Sequence, residues 1–185
     1  MRARLSLLIR PPRLALLALV ALPVLSCARG KAGAVARPSG GDVRDIAMID
    51  TDGRSATLAS VLGGRPGLVS LWAPWCEPCT RELPDLERLS RAVEPCGASV
   101  VGVAVGEKPA AIAAFTHARQ LSYPQLTDEP FTLADALGQR RIPATVVFDG
   151  PGRVVFTGDA LDARATAALS RALAARAGAT PCALP

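Results

Sequence analysis

The stretch that most constrains this chain runs from Leu71 to Pro84: Leu-Trp-Ala-Pro-Trp-Cys-Glu-Pro-Cys-Thr-Arg-Glu-Leu-Pro. The apolar run Gly67 to Ala73 overlaps its start and reads as a buried strand. Beyond the cysteines, Leu83, Leu86, Leu89 and Val93 recur at helical spacing. Cys76 and Cys79 therefore fall where a strand turns into a helix. Pro78 occupies the first helical turn, where a missing N–H does no harm. Unpaired backbone N–H groups and the helix dipole favour an anion there, and the Cys76 thiolate is the group placed to use them. A lowered thiol pKa is what disulfide exchange requires of its attacking sulfur. Cys79, about one turn on, faces the same side and can resolve a mixed disulfide.

Three other uses compete for such a pair. A c-type haem site needs His directly after the second Cys, and Thr80 stands there. Zinc needs a second ligand pair, and the only His is His117, in the middle of a predicted helix and read as a surface residue. A purely structural disulfide would not need the strand-to-helix setting. Redox use is favoured, with no cofactor and no metal expected. A Cu(I)-handling protein remains the alternative from a different class, but both methionines, Met1 and Met48, lie far from the pair in sequence.

The motif resembles the thioredoxin active site. Trp75-Cys76-Glu77-Pro78-Cys79 matches Trp-Cys-x-x-Cys, and Pro84 matches the proline inside the active-site helix. The Glu-Pro dipeptide is similar to that of the extracytoplasmic TlpA/ResA-type branch of the thioredoxin-like superfamily. Around it, the order is strand, helix, strand, helix, hairpin and helix. The strands are Gly67–Ala73, Ser99–Val105, Val146–Phe148 and Val154–Phe156. The helices follow the Cys pair, span Pro109–Leu121 and, capped by Asp162, span Ala163–Ala177. Tyr123–Leu126 reads as a short extended piece and Thr132–Leu137 as a short helix. The resemblance covers about residues 42–177. It implies an α/β thioredoxin fold, a central mixed sheet flanked by helices, with an added N-terminal hairpin around Thr51-Asp52-Gly53.

The resemblance also assigns site residues. Ile142-Pro143 stands where the family has its cis-proline, in a loop that packs on the Cys pair and offers backbone groups to an extended substrate. Cytosolic thioredoxins carry a buried Asp two residues before the strand Trp; here Ser70 occupies that place before Trp72. Glu107, after the second strand, matches a Glu near the active site of TlpA/ResA-type proteins and is either a proton acceptor for Cys79 or a solvated loop residue. Glu77 lies close to both sulfurs and is expected to oppose thiolate formation. Cys96 and Cys182 are expected at the same end of the same helical layer, and so in a structural disulfide, in a compartment where disulfides persist.

The N-terminus reads as a targeting segment. Arg2, Arg4, Arg10 and Arg13 precede the apolar stretch Leu14 to Leu25, too short for the roughly twenty residues of a membrane span. These arginines supply most of the net charge of +5, so no basic patch argues for nucleic acid. Val24-Leu25-Ser26-Cys27 matches a bacterial lipobox, with lipidation expected at Cys27; ordinary cleavage after Ala28 is the rival. The expected division is a lipoprotein-type signal peptide over 1–26, a flexible tether over 27–41 and the thioredoxin-like domain over 42–185. The implied function is an extracytoplasmic, lipid-anchored thiol–disulfide oxidoreductase. Its expected partners are protein disulfides, such as those of apocytochrome c, and a membrane-bound electron donor. A general thiol oxidase or repair thioredoxin is the enzymatic alternative.

Overall fold

The computed structural model describes residues 41–176 and Leu184. The signal peptide, Cys27, nearly all of the tether and Cys182 lie outside the described residues. Strands are Met48–Asp50 (β1), Ser55–Ala56 (β2), Gly67–Trp72 (β3), Ser99–Val105 (β4), Gln125–Asp128 (β5), Ala144–Phe148 (β6) and Val154–Gly158 (β7). They form one sheet in the order β2-β1-β5-β4-β3-β6-β7. Strands β3, β4 and β5 are mutually parallel; β6 runs antiparallel to β3, and β7 to β6. Every residue of β3 and β4 is buried, as expected of interior strands with unbroken apolar runs.

Helices Glu77–Val93 (α2) and Ala163–Ala174 (α5) cover one face, with Pro109–Ala118 (α3) beside them. Their apolar stripes, Leu83, Leu86 and Leu89 from α2 and Ala165, Leu169 and Leu173 from α5, close on Leu68, Trp72 and Val100 of the sheet. The short helices Leu58–Leu62 (α1) and Thr132–Ala136 (α4) cover the other face, packing Leu58, Leu62 and Leu133 on Val69, Val101 and Val103. Helix α1 is started by a capping box in which Thr57 and Ser60 each bond the other's backbone. Gly63, in the left-handed region at φ 56°, stops it.

Several readings from the sequence need adjusting. The N-terminal hairpin is present, and β1 also pairs antiparallel with β5, so the hairpin extends the main sheet. The stretch after Tyr123 is a fully buried interior strand, Gln125–Asp128. Its polar residues hide this from pattern reading, yet each of them has a hydrogen-bond partner on another element. Gln125 accepts from Trp72 Nε1, the Thr127 hydroxyl donates to the Ile49 carbonyl, and Asp128 accepts from the Ala134 N–H. Helix α5 ends at Ala174, three residues before its expected end.

Candidate active site

The parallel run of β3 brings its C-terminal end, and with it the 73–76 turn, to one edge of the sheet. There α2 begins. Cys76 is its N-cap, with extended backbone at φ −84° and ψ 97°, and its Sγ accepts the Cys79 N–H at 3.3 Å. The Cys76 carbonyl accepts the Thr80 N–H at 3.0 Å, so the capping turn is closed on both sides. Cys76 and Cys79 are joined by a disulfide with Cα atoms 5.2 Å apart. Cys79 is 1% exposed and Cys76 6%. On reduction, a charge on Cys76 Sγ lies at the positive end of a 17-residue helix and beside a donor already aimed at it. Cys79, one turn inside the helix and more deeply buried, lacks that advantage.

The surrounding residues divide into a wet rim and a dry floor. Trp75 is 68% exposed, and Pro78 lies on the surface in the first turn. The Glu77 carboxylate points to solvent and pairs with Arg81 at 2.7 Å, so part of its charge is neutralised away from the sulfurs. Beneath, Trp72 is wholly buried in the same cluster as both cysteines. Its Nε1 donates to Gln125 Oε1 at 3.1 Å, and its ring meets Phe115 at 5.3 Å between centroids. Ser70, also buried, occupies β3 two residues before. The Ile142–Pro143 peptide bond is cis, and both residues are half-buried at the start of β6, where Ala144 pairs with Leu71 of β3. Glu107 is half-buried just past the C-terminal end of β4, on the same edge as the cysteines. Cys96 lies at the far end of α2 and is disulfide-bonded. The expected pairing with Cys182 involves a residue outside those described.

One carboxylate was missed. Glu82 follows Cys79 by three residues and precedes Leu86 by four, which puts it on the buried stripe of α2. Its Oε1 accepts the Leu161 N–H at 3.3 Å, while Oε2 is buried without a partner among the described residues. Burial pushes its pKa up; the Leu161 N–H opposes this, and the Asp85 charge adds to it. The signal was in the sequence: a charged residue interrupts an apolar helical stripe. Among the described residues no three metal-ligating side chains gather into a site.

The family model for AhpC/TSA proteins matches residues 40–157. The chain belongs to the AhpC/TSA family. Within it, the chain is 29% identical over 141 residues to the thiol-disulfide oxidoreductase ResA of Bacillus subtilis, covering 72% of this chain and 78% of that protein. Among solved structures it superposes on a secreted thiol-disulfide isomerase from Corynebacterium glutamicum with a TM-score of 0.63 at 22% identity, covering 70% of this chain and 84% of the other. It also superposes on StoA from Bacillus subtilis with a TM-score of 0.53 at 20% identity, covering 62% and 86%. These two likenesses establish the thioredoxin fold. This AhpC/TSA member is a thiol–disulfide oxidoreductase of the TlpA/ResA type, with the Cys76–Cys79 disulfide at the point where that chemistry is expected.

Proposed function

We propose that this oxidoreductase is an exported, lipid-anchored reductant of protein disulfides, with the Cys-x-x-Cys segment of apocytochrome c as its target class. The observation that carries the chemistry is the capping of α2 by Cys76, whose Sγ already receives a backbone N–H. In the reduced protein the Cys76 thiolate attacks one sulfur of a substrate disulfide, forming a mixed disulfide and releasing the other sulfur as thiolate. Cys79 loses its proton and attacks Cys76 Sγ. The substrate leaves as a dithiol, having gained two electrons, and the Cys76–Cys79 disulfide of the structure remains. The Cys79 proton passes to a carboxylate, Glu82 or Glu107; burial raises the Glu82 pKa, which suits it to that role. A membrane-bound dithiol donor resets the pair. Ile142 and Pro143 line the groove for the extended substrate, and a Cys96–Cys182 bridge pins the C-terminal tail.

Export rests on the N-terminal segment. Residues 1–26 are removed, Cys27 carries the lipid, and the tether to residue 41 holds the domain off the membrane. The secreted relative from Corynebacterium glutamicum supports an extracytoplasmic setting. The test is trapping in cells with membranes fractionated. Cys79→Ser should hold targets as mixed disulfides in the membrane fraction, and Cys76→Ser should hold almost none. Adding Cys27→Ala should release the trapped species from that fraction. A midpoint potential of the pair near roughly −270 mV supports a reductant, and one near roughly −120 mV makes the protein an oxidant. Equal trapping by the two serine variants would overturn the assignment of roles.

A further inference from the structure

Strands β4 and β5 run parallel to β3, so their C-terminal ends meet the same edge as Cys76. The turn after β5 carries Phe131 in the left-handed region, at φ 61° and ψ 21°. A bulky L-residue is strained there, and Gly or Asn would sit at ease. The turn nevertheless enforces the conformation. Phe131 N–H donates to the Asp128 carbonyl at 3.2 Å, Ala134 N–H donates to Asp128 Oδ2 at 2.9 Å, and Asp135 N–H donates to the Phe131 carbonyl at 2.9 Å. The same Asp128 carbonyl takes the Gly106 N–H at 3.0 Å, which ties the turn to the end of β4.

The ring then lies over Gly106. A Cβ on that residue would stand 2.7 Å from Phe131 Cζ, so the glycine is needed for the ring as well as for its own φ of 69°. Although seated in this way, the side chain remains 45% exposed. Trp72, the last residue of β3, is paired with Ala104 of the neighbouring β4, so the 73–76 turn and Gly106 leave the sheet from adjacent strand ends. The ring therefore covers the strand end next to the one that delivers Cys76. Of the four large hydrophobic residues exposed among those described, Trp75 and Phe131 share this edge, whereas Ile49 and Val155 belong to β1 and β7. A strained backbone that keeps an aromatic ring in water beside a reactive centre is the kind of outlier that points to use.

We propose that Phe131 is a specificity-determining residue of the exchange reaction. Its ring, with Trp75, forms an apolar shelf beside Cys76 for a large hydrophobic side chain near the target cysteine of an unfolded polypeptide. The proposal rests on the oxidoreductase activity and adds a preference to it. Small disulfides have nothing to lay on such a shelf, and neither does a cysteine flanked only by small polar residues.

Two synthetic disulfide peptides of equal length and charge test it, one with Leu and Phe flanking the Cys pair and one with Ser at those positions. The reduced protein should favour the apolar peptide in kcat/KM by at least about five-fold, within the range a hydrophobic contact supplies. Phe131→Gly should remove most of that preference and Phe131→Leu should keep part of it, while the melting temperature of the glycine variant holds or rises as the backbone strain is relieved. An unmodified protein with no preference, or a glycine variant that keeps it in full, would overturn the proposal. So would an equal fall with both peptides, which would give Phe131 a role in holding the turn only. If the unmodified protein exchanges with neither peptide nor 5,5′-dithiobis(2-nitrobenzoic acid), the activity fails and the shelf with it; exchange without preference defeats the shelf alone.

Discussion

Helix α2 has a cysteine at its start and another just past its end, and the two positions differ in every property that governs sulfur chemistry. At the start, Cys76 meets unpaired N–H groups and the positive end of the helix dipole. Past the end, Cys96 follows the last carbonyls of α2, in the turn Glu94–Cys96 that Gly97 closes in the left-handed region at φ 79°. Negative potential there disfavours a thiolate. A thiol at that end attacks slowly and is a poor leaving group, so a bridge made with it resists exchange. The direction of one helix thus gives its two disulfide-bonded ends, Cys76 and Cys96, opposite electrostatic settings.

Replacing Cys96 should show the largest effect. With the proposed Cys96–Cys182 bridge closing a long loop, Cys96→Ser is expected to lower unfolding free energy by up to about 4 kcal/mol in the chain-entropy picture. Exchange by the molecules that remain folded should be unaffected. Urea denaturation and peptide-disulfide kinetics on the same samples check this, and a matching loss of exchange would show that the two ends are not independent.

Glu82, partway between them, should report through pH. Its folded-state pKa is raised by burial above the ordinary 4.5, so the folded protein binds this proton more tightly than the unfolded chain does. The resulting penalty is fully present above the raised pKa, shrinks as pH falls through it, and is gone below 4.5. Glu82→Gln should therefore gain most in melting temperature, relative to the parent, near neutral pH and lose that gain on acidification toward 4.5. Its exchange rate should also lose the pH dependence that this carboxylate imposes. A constant difference in melting temperature between pH 4 and pH 8 would contradict the argument.

Arg176 gives the smallest effect. Its guanidinium donates to the Gly97 carbonyl at 2.6 Å, joining the end of α5 to the end of α2 on the surface. Arg176→Ala should lower stability by about 0.5–1 kcal/mol, as for an exposed hydrogen bond, and should not touch the active-site potential. A shifted potential would mean that the far end of α2 communicates with the near one.

What could be read from the sequence followed from residues that act locally. The apolar runs of β3 and β4, the Cys-x-x-Cys pair at a helix start, and Asp162 as a cap each declare themselves within a few positions. Glu82 escapes a reading of the motif alone, because Glu77 lies between the two cysteines and the resemblance assigns the active-site carboxylate to Glu107. Glu77 turns out to pair with Arg81 in solvent, while Glu82 is carried inward by the helical period. Strand β5 was undervalued because its polar side chains find partners on other elements. Phe131 could not be foreseen at all: nothing in Asp-Glu-Pro-Phe-Thr marks an aromatic residue for a left-handed turn, since hydrogen bonds to Asp128 and from α4 impose it.

The anchoring of Trp72 has a consequence for inheritance. Gln125 reaches the indole only because β4, between them, carries Gly102, over which the amide lies; a methyl group there would fall 2.1 Å from Gln125 Oε1. Residues on three adjacent strands are thereby bound into one unit. A mutation that gives position 102 any side chain evicts the amide and leaves the indole N–H buried without an acceptor. A lineage that keeps the Trp72–Gln125 bond must therefore keep Gly102, and position 102 becomes free to vary only after Gln125 is lost.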